Sequence, residues 1–237
     1  MNSAQSYRPL AQRLLADTPG WQRLDPTTRE RLLDAGSLRR HTVGSTLHRR
    51  GEPMTELVFV VTGTLEVSVQ GIEGRRAVCW YVEPGQFIGV VPLLDGEGGI
   101  HDVIVHSEGV MLHVPKDAFL TALDSDHALM AAILRILCER TRTLYELLAA
   151  STLQTLRGRT ARMIMLLADR HGRDRDGRIE LDLRLSQDDL ADMLGVARQS
   201  LNRELKAFEA AGIVSLAYSR IAITDAARLE DIASGTA

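Results

Sequence analysis

The chain has 237 residues, 45% of them hydrophobic and 25% charged, which suits a globular protein of two domains with cores of their own. Its formal net charge of -3 gives no bulk basic signature, and from Thr152 onward Lys+Arg and Asp+Glu balance at 13 each. Any nucleic-acid footprint must therefore lie in how charges are arranged on the surface. Two distant cysteines, Cys79 and Cys138, exclude a disulfide framework and a four-thiolate iron–sulfur cluster, and their apolar surroundings predict buried free thiols. No apolar run approaches the ~20 residues of a membrane helix, and the first 21 residues lack a signal-peptide core, so a cytoplasmic protein without membrane contact is expected.

Residues 8–36 read as two helices. Leu10, Leu14 and Leu15 make the first apolar stripe; Asp25-Pro26 opens the second helix, Leu32 and Leu33 face inward, and Gly36 ends it. From Arg39 the pattern changes to β-branched runs punctuated by turns at Gly44, Gly51, Gly63, Gly71, Gly74 and Pro84-Gly85. Turn signals this dense indicate an antiparallel sandwich or roll. Residues 103–105 and 110–114 complete its strands, and a helix begins at Pro115-Lys116. Residues 127–150 then form one long helix, with Met130, Ile133, Leu137, Leu144, Leu147 and Ser151 at near-heptad spacing interrupted by Arg140, a stripe that faces either its own domain or a twin helix, with the parallel two-helix contact of a homodimer favoured. Residues 152–155 read as a hinge, 157–170 as a helix, 171–178 as a charged loop around Asp174 and Asp176, and 179–183 as a strand.

Residues 185–214 carry the chemistry. Ser186 with Asp189 three residues on is a capping-box start, Leu190, Met193 and Leu194 form an apolar stripe, and Gly195 suits a sharp turn between helices. In the helix that follows, Leu201, Leu205 and Phe208 point inward, leaving Arg198, Gln199, Asn202 and Arg203 on the outer face near its start. Arg can fork onto guanine, and Gln or Asn can pair with adenine, so this face suits a DNA major groove. Ser186 and Ser200 join it as candidate contacts. An ordinary helical hairpin with a solvated polar face is the plain alternative. Residues 213–216 and 220–223, flanking a turn at Tyr218-Ser219, read as a β wing. The fold class expected is α+β: an N-terminal double-stranded β-roll with its helices (1–126), a dimerisation helix and hinge (127–151), and a C-terminal winged helix-turn-helix (152–237).

Two stretches, VTGTLEVSV followed by EPGQFIG, and GVARQSLNRELKAFEAAGIV, resemble the effector roll and the recognition helix of the Crp/Fnr transcription regulators. The order of elements resembles that family over nearly the whole chain. The resemblance implies a homodimer on an inverted-repeat operator of double-stranded DNA, with RNA polymerase as a further partner and an effector domain that repositions the DNA-binding domains. It places Arg198, Gln199 and Arg203 on the family's reading positions. The family commonly has Glu at the middle position; Gln199 implies a different base preference. Ala197 stands where a capping Ser or Thr is usual, a loss of ~1 kcal/mol.

The effector pocket that the resemblance implies comprises Gly89, Val90, Ile100, His101, Leu144 and Tyr145. Val90 follows FIG where cyclic-nucleotide binders carry Glu, and Ile100-His101 falls where they carry an Arg-Ser pair. No Lys or Arg occurs between Arg76 and Lys116 to replace that cation, so cyclic AMP in the family's usual mode is not expected. The identity of any small-molecule effector stays open: a partly degenerate pocket, or an apolar or haem-like ligand with one of His101, His106 and His113 as axial ligand. No paired-His spacing indicates a metal site. An enzyme is not expected, for want of a glycine-rich phosphate loop or nucleophile elbow. A sensor or interaction module whose helix-turn-helix no longer reads DNA is the alternative function.

Overall fold

The computed structural model describes residues 3–18, 21–71, 76–175, 177–183, 185–217 and 220–235. Gly74, Asp176 and the Tyr218-Ser219 turn lie outside them. The chain divides into two compact units, Met1–Thr141 and Arg142–Ala237.

The first unit opens with a 3-10 turn (Ser3–Tyr7), α1 (Arg8–Asp17) and α2 (Pro26–Ala35). Pro26 at the first helical position and the Asp25 carboxylate, which accepts from the Thr27 N–H, start α2 as its sequence predicts. The roll follows: β1 (Ser37–His41), β2 (Thr46–His48), β3 (Glu56–Val60), β4 (Thr64–Gln70), β5 (Arg76–Val82), β6 (Phe87–Ile88), β7 (Asp102–Ser107) and β8 (Gly109–Pro115), with α3 (Val90–Asp95) inserted after β6. Two four-stranded sheets, β1-β8-β3-β6 and β2-β7-β4-β5, are antiparallel throughout. The two-residue period of the strands divides the core in two. Val58, Val60 and Met111 pack with Leu65, Val67, Val103 and Val105 of the other sheet. The alternate residues, Leu57, Phe59, Leu112 and Val114, pack with α1, α2, α4 (Lys116–Ser125) and the start of α5 (His127–Leu153). Gly63 and Gly109 let the backbones at the 60s turn and β8 meet. A Cβ at Gly63, which has φ +79°, would lie 2.8 Å from the Gly109 Cα, and one at Gly109 would lie 2.0 Å from the Thr62 carbonyl oxygen.

The long helix differs from its predicted stripe. Ile133 is buried in the roll core with Leu129 and Ala132, and Leu137 packs against the same cluster. The outward apolar row is Met130, Leu134, Leu144, Tyr145, Leu148 and Leu153. The expectation of buried thiols also fails: Cys79 and Cys138 are both exposed. Val67 faces Trp80 while Ser68 faces Val78, so Cys79 is the extra residue of a β-bulge. Cys138 falls one turn after Leu134 on α5, which explains its exposure.

In the second unit α6 (Leu156–His171) is capped by the Thr155 hydroxyl, which accepts from the Gly158 N–H. The expected charged loop instead begins with a strand, β9 (Gly172–Arg175), paired with β10 (Arg178–Leu181). Ion pairs of Arg173 with Asp182 at 2.6 Å and of Arg175 with Glu180 at 3.4 Å give its charges partners, so charge density there accompanies a hairpin. α7 (Gln187–Leu194), α8 (Arg198–Ala210), β11 (Val214–Ala217), β12 (Arg220–Ile223) and α9 (Ala226–Ser234) complete the unit. The sheet order β11-β12-β10-β9 places the wing beside the hairpin.

Candidate nucleic-acid interface

The helix pair is built as its sequence predicts. Ser186 Oγ accepts from the Asp189 N–H at 3.1 Å, while the Asp189 carboxylate accepts from the Ser186 N–H at 2.9 Å and from its hydroxyl at 2.7 Å. Both halves of a capping box are therefore made, and the Ser186 hydroxyl is committed to it. α7 ends at Gly195, in the left-handed region at φ 66°. Ala197 precedes α8 with extended backbone and no side-chain cap. Leu190, Ala191, Leu194, Leu201, Leu205 and Phe208 are buried, and the Arg157 guanidinium lies 4.9 Å from the Phe208 ring centroid. The Arg159 guanidinium donates to the Leu194 carbonyl, tying the end of α7 to α6.

This packing brings the predicted reading residues together at the start of α8. Arg198, Gln199 and Arg203 are exposed; Ser200 and Asn202 are partly buried. Arg198 Nη1 lies 2.9 Å from an Asp188 carboxylate oxygen, and Asn202 Nδ2 donates to Gln187 Oε1 at 2.7 Å. Gln187 and Asp188 were not among the predicted contacts. The signal for them was a second acid in SQDDL, where the capping box uses only one. Arg220 of the wing joins Ser186, Gln187, Asp188 and Arg198 around a hollow of about 380 Å³. Cationic and amide groups on a convex helix start, flanked by a wing, can donate to phosphates and to the acceptor edges of bases.

The predicted effector residues differ in backbone conformation and in burial. Gly89 has φ 104°, and a Cβ there would meet Met54 Cε at 2.9 Å. Val90 is buried in the core between sheet and helices, Ile100 is 48% exposed, and Leu144 and Tyr145 are 67% and 69% exposed. A buried Val90 offers no acceptor to a ribose hydroxyl, and Ile100-His101 no guanidinium fork to a cyclic phosphate, so these positions do not fit a cyclic nucleotide in the family's usual mode. Cations do reach this region, from outside the stretch between Arg76 and Lys116. His101 is held below its ordinary pKa first by burial, then by the charges of Arg50 and Arg140, with Asp102 opposing. Arg140 donates to the Phe87 carbonyl at 3.0 Å.

His113 has a different part. Its Nδ1 faces the Glu56 carboxylate at 2.9 Å and its Nε2 faces His41 Nε2 at 3.0 Å. Donation to Glu56 leaves Nε2 to accept from His41, so both ring nitrogens are engaged. Burial, then Arg39, pushes the His113 pKa down to about 4, against the pull of Glu56. His106 packs its ring on Tyr81, 4.7 Å between centroids. Among the described residues no group of three or more His, Cys, Asp or Glu is placed to hold a metal ion, and no helix is long and apolar enough to cross a membrane.

Residues 38–126 match the cyclic nucleotide-binding domain model and residues 158–232 the Crp-like helix-turn-helix domain model. A "CRP-like cAMP-activated global transcriptional regulator" of Mycobacterium tuberculosis is 24% identical over 186 residues, 78% of this chain and 83% of that protein. The transcriptional regulator LdrP of Thermus thermophilus is 26% identical over 195 residues, 81% of this chain and 95% of that one. Among solved structures, a CRP-family transcriptional regulator from Thermus thermophilus superposes with a TM-score of 0.67 at 25% identity, over 83% of this chain and 96% of the other. The chain therefore belongs to the Crp/Fnr family and is a DNA-binding transcription regulator.

Proposed function

We propose that the protein reads an inverted-repeat operator as a homodimer, with Arg198, Gln199, Asn202 and Arg203 in the major groove and Ser186, Ser200 and the wing near the backbone. The observation that carries this is the cluster of Arg and amide side chains exposed at the start of α8 above an apolar inner face. The outward apolar row of α5 from Met130 to Leu148 supplies the dimer contact, in the segment 127–151 between a roll domain (1–126) and a DNA-binding domain (152–237). Two-fold symmetry sets two recognition helices one turn of DNA apart. The regulator acts in the cytoplasm, where RNA polymerase bound at the same promoter is its further partner. A small-molecule effector of the roll is something other than a cyclic nucleotide held through Glu and Arg, since Val90 and Ile100-His101 occupy those places.

The test is Arg198→Ala. Loss of a two-pronged contact to guanine removes base preference at one position of each half-site and costs ~1–3 kcal/mol. Binding measured on operators varied at each position should show that single loss; unchanged preference at every position refutes the groove assignment.

A further inference from the structure

We infer that Asp188 is a specificity-determining positioning residue, whose carboxylate holds Arg198 in the rotamer that offers its remaining N–H edge to a base. This rests on the groove assignment above and deepens it. The first turn of α7 carries three polar side chains in succession, Gln187, Asp188 and Asp189. Asp189 is consumed by the capping box with Ser186. Asp188 points instead to α8, where it takes Arg198 Nη1 at 2.9 Å, ten residues on. Its neighbour Gln187 takes Asn202 Nδ2 at 2.7 Å. α7 thus grips two outward side chains of α8 that stand four residues, about one turn, apart.

The grip has two consequences for DNA. A guanidinium fixed at one nitrogen keeps a fork of parallel donors free, the arrangement that matches guanine O6 and N7, and it has fewer rotamers to lose on binding. A carboxylate on the DNA-facing surface also repels phosphates, and this weakens binding to every sequence alike. The first effect raises the ratio of specific to non-specific binding; the second lowers both affinities together and leaves their ratio unchanged. The exposed ion pair contributes little to folding, with side chains 62% and 59% accessible, so its substitution leaves the helix pair intact.

The experiment measures full-length protein on duplexes carrying each of the four base pairs at the position where Arg198→Ala loses its preference, with a scrambled duplex as reference at one fixed salt concentration. Asp188→Asn should lower the preference for guanine at that position about tenfold, raise affinity for the scrambled duplex, and leave the other positions unchanged. Asp188→Glu, which keeps the charge, should recover part of the preference. In an Arg198→Ala background, Asp188→Asn should change only the affinity common to all duplexes. If Asp188→Asn tightens every duplex equally with the guanine preference intact, Asp188 is only a repulsive charge and the inference is wrong. If Arg198→Ala itself alters no preference, the groove assignment fails first, and that result is separately visible.

Discussion

Replacing Ala197 by Ser gives α8 the side-chain cap that α6 and α7 already have. Ala197 holds φ -68° and ψ 137°, the extended conformation of an N-cap residue, and it is exposed, so a hydroxyl fits without rearrangement. Ser Oγ would accept from the N–H of Gln199 or Ser200, and such a cap is worth ~1 kcal/mol (range ~0.5–2). At 25 °C that is about a fivefold change in an opening equilibrium, and it corresponds to a rise of roughly 4–8 °C in the transition of a unit of about 100 residues. Ser186→Ala is the mirror perturbation, since it removes a hydroxyl that accepts from the Asp189 N–H and donates to the Asp189 carboxylate. It should lower the same transition by a similar amount. Amide exchange of α7 and α8 in the full chain, with thermal melting beside it, reads both. If Ala197→Ser leaves exchange in α8 unchanged, or Ser186→Ala leaves α7 as protected as before, the caps do not hold this motif in the way described.

Leu148→Glu should turn the dimer into monomers in sedimentation equilibrium without lowering the stability of the roll, because Leu148 is 61% exposed; a surviving dimer would place the contact elsewhere. The buried His113 makes the first unit acid-sensitive. Its folded pKa, about 4, lies below the ~6.5 of an unfolded histidine, so its contribution is complete above pH 6.5 and is lost as the unfolded state takes up protons between there and pH 4. The loss is about 2 kcal/mol by pH 5, and acid acts in the same direction on the depressed carboxyl of Glu56. Denaturant melts at pH 7.5 and 5 should show it, and His113→Gln should flatten the slope; a slope untouched by that change would assign the sensitivity to other groups.

The helix pair was legible because its signals are local. Ser186, Asp189, Gly195 and the spacing of Leu201, Leu205 and Phe208 each name a backbone conformation or a face within a few residues. The roll was legible for the same reason, through its turns. What escaped depends on residues distant in sequence. Cys79 lies in an apolar run, yet a bulge against β4 turns it out. Ile133 shares the heptad of the outward row but meets the roll core, a choice that spacing alone does not make. Arg50 and Arg140 lie outside the cation-free stretch between Arg76 and Lys116, and folding brings their charge to His101. The pairing of Asp188 with Arg198 crosses the turn between two helices, and no periodicity within either helix announces it.

If the face beginning at Arg198 reads DNA as part of a symmetric dimer, the sequences the protein selects carry two-fold symmetry. Selection of bound sequences from random duplex DNA, using purified full-length protein at a fixed salt concentration, alone and with a small-molecule cell extract, tests it most directly. The expected result is enrichment of an inverted repeat whose half-sites lie about one helical turn, roughly 34 Å, apart. Enrichment of a lone half-site, or of no sequence under either condition, would contradict it.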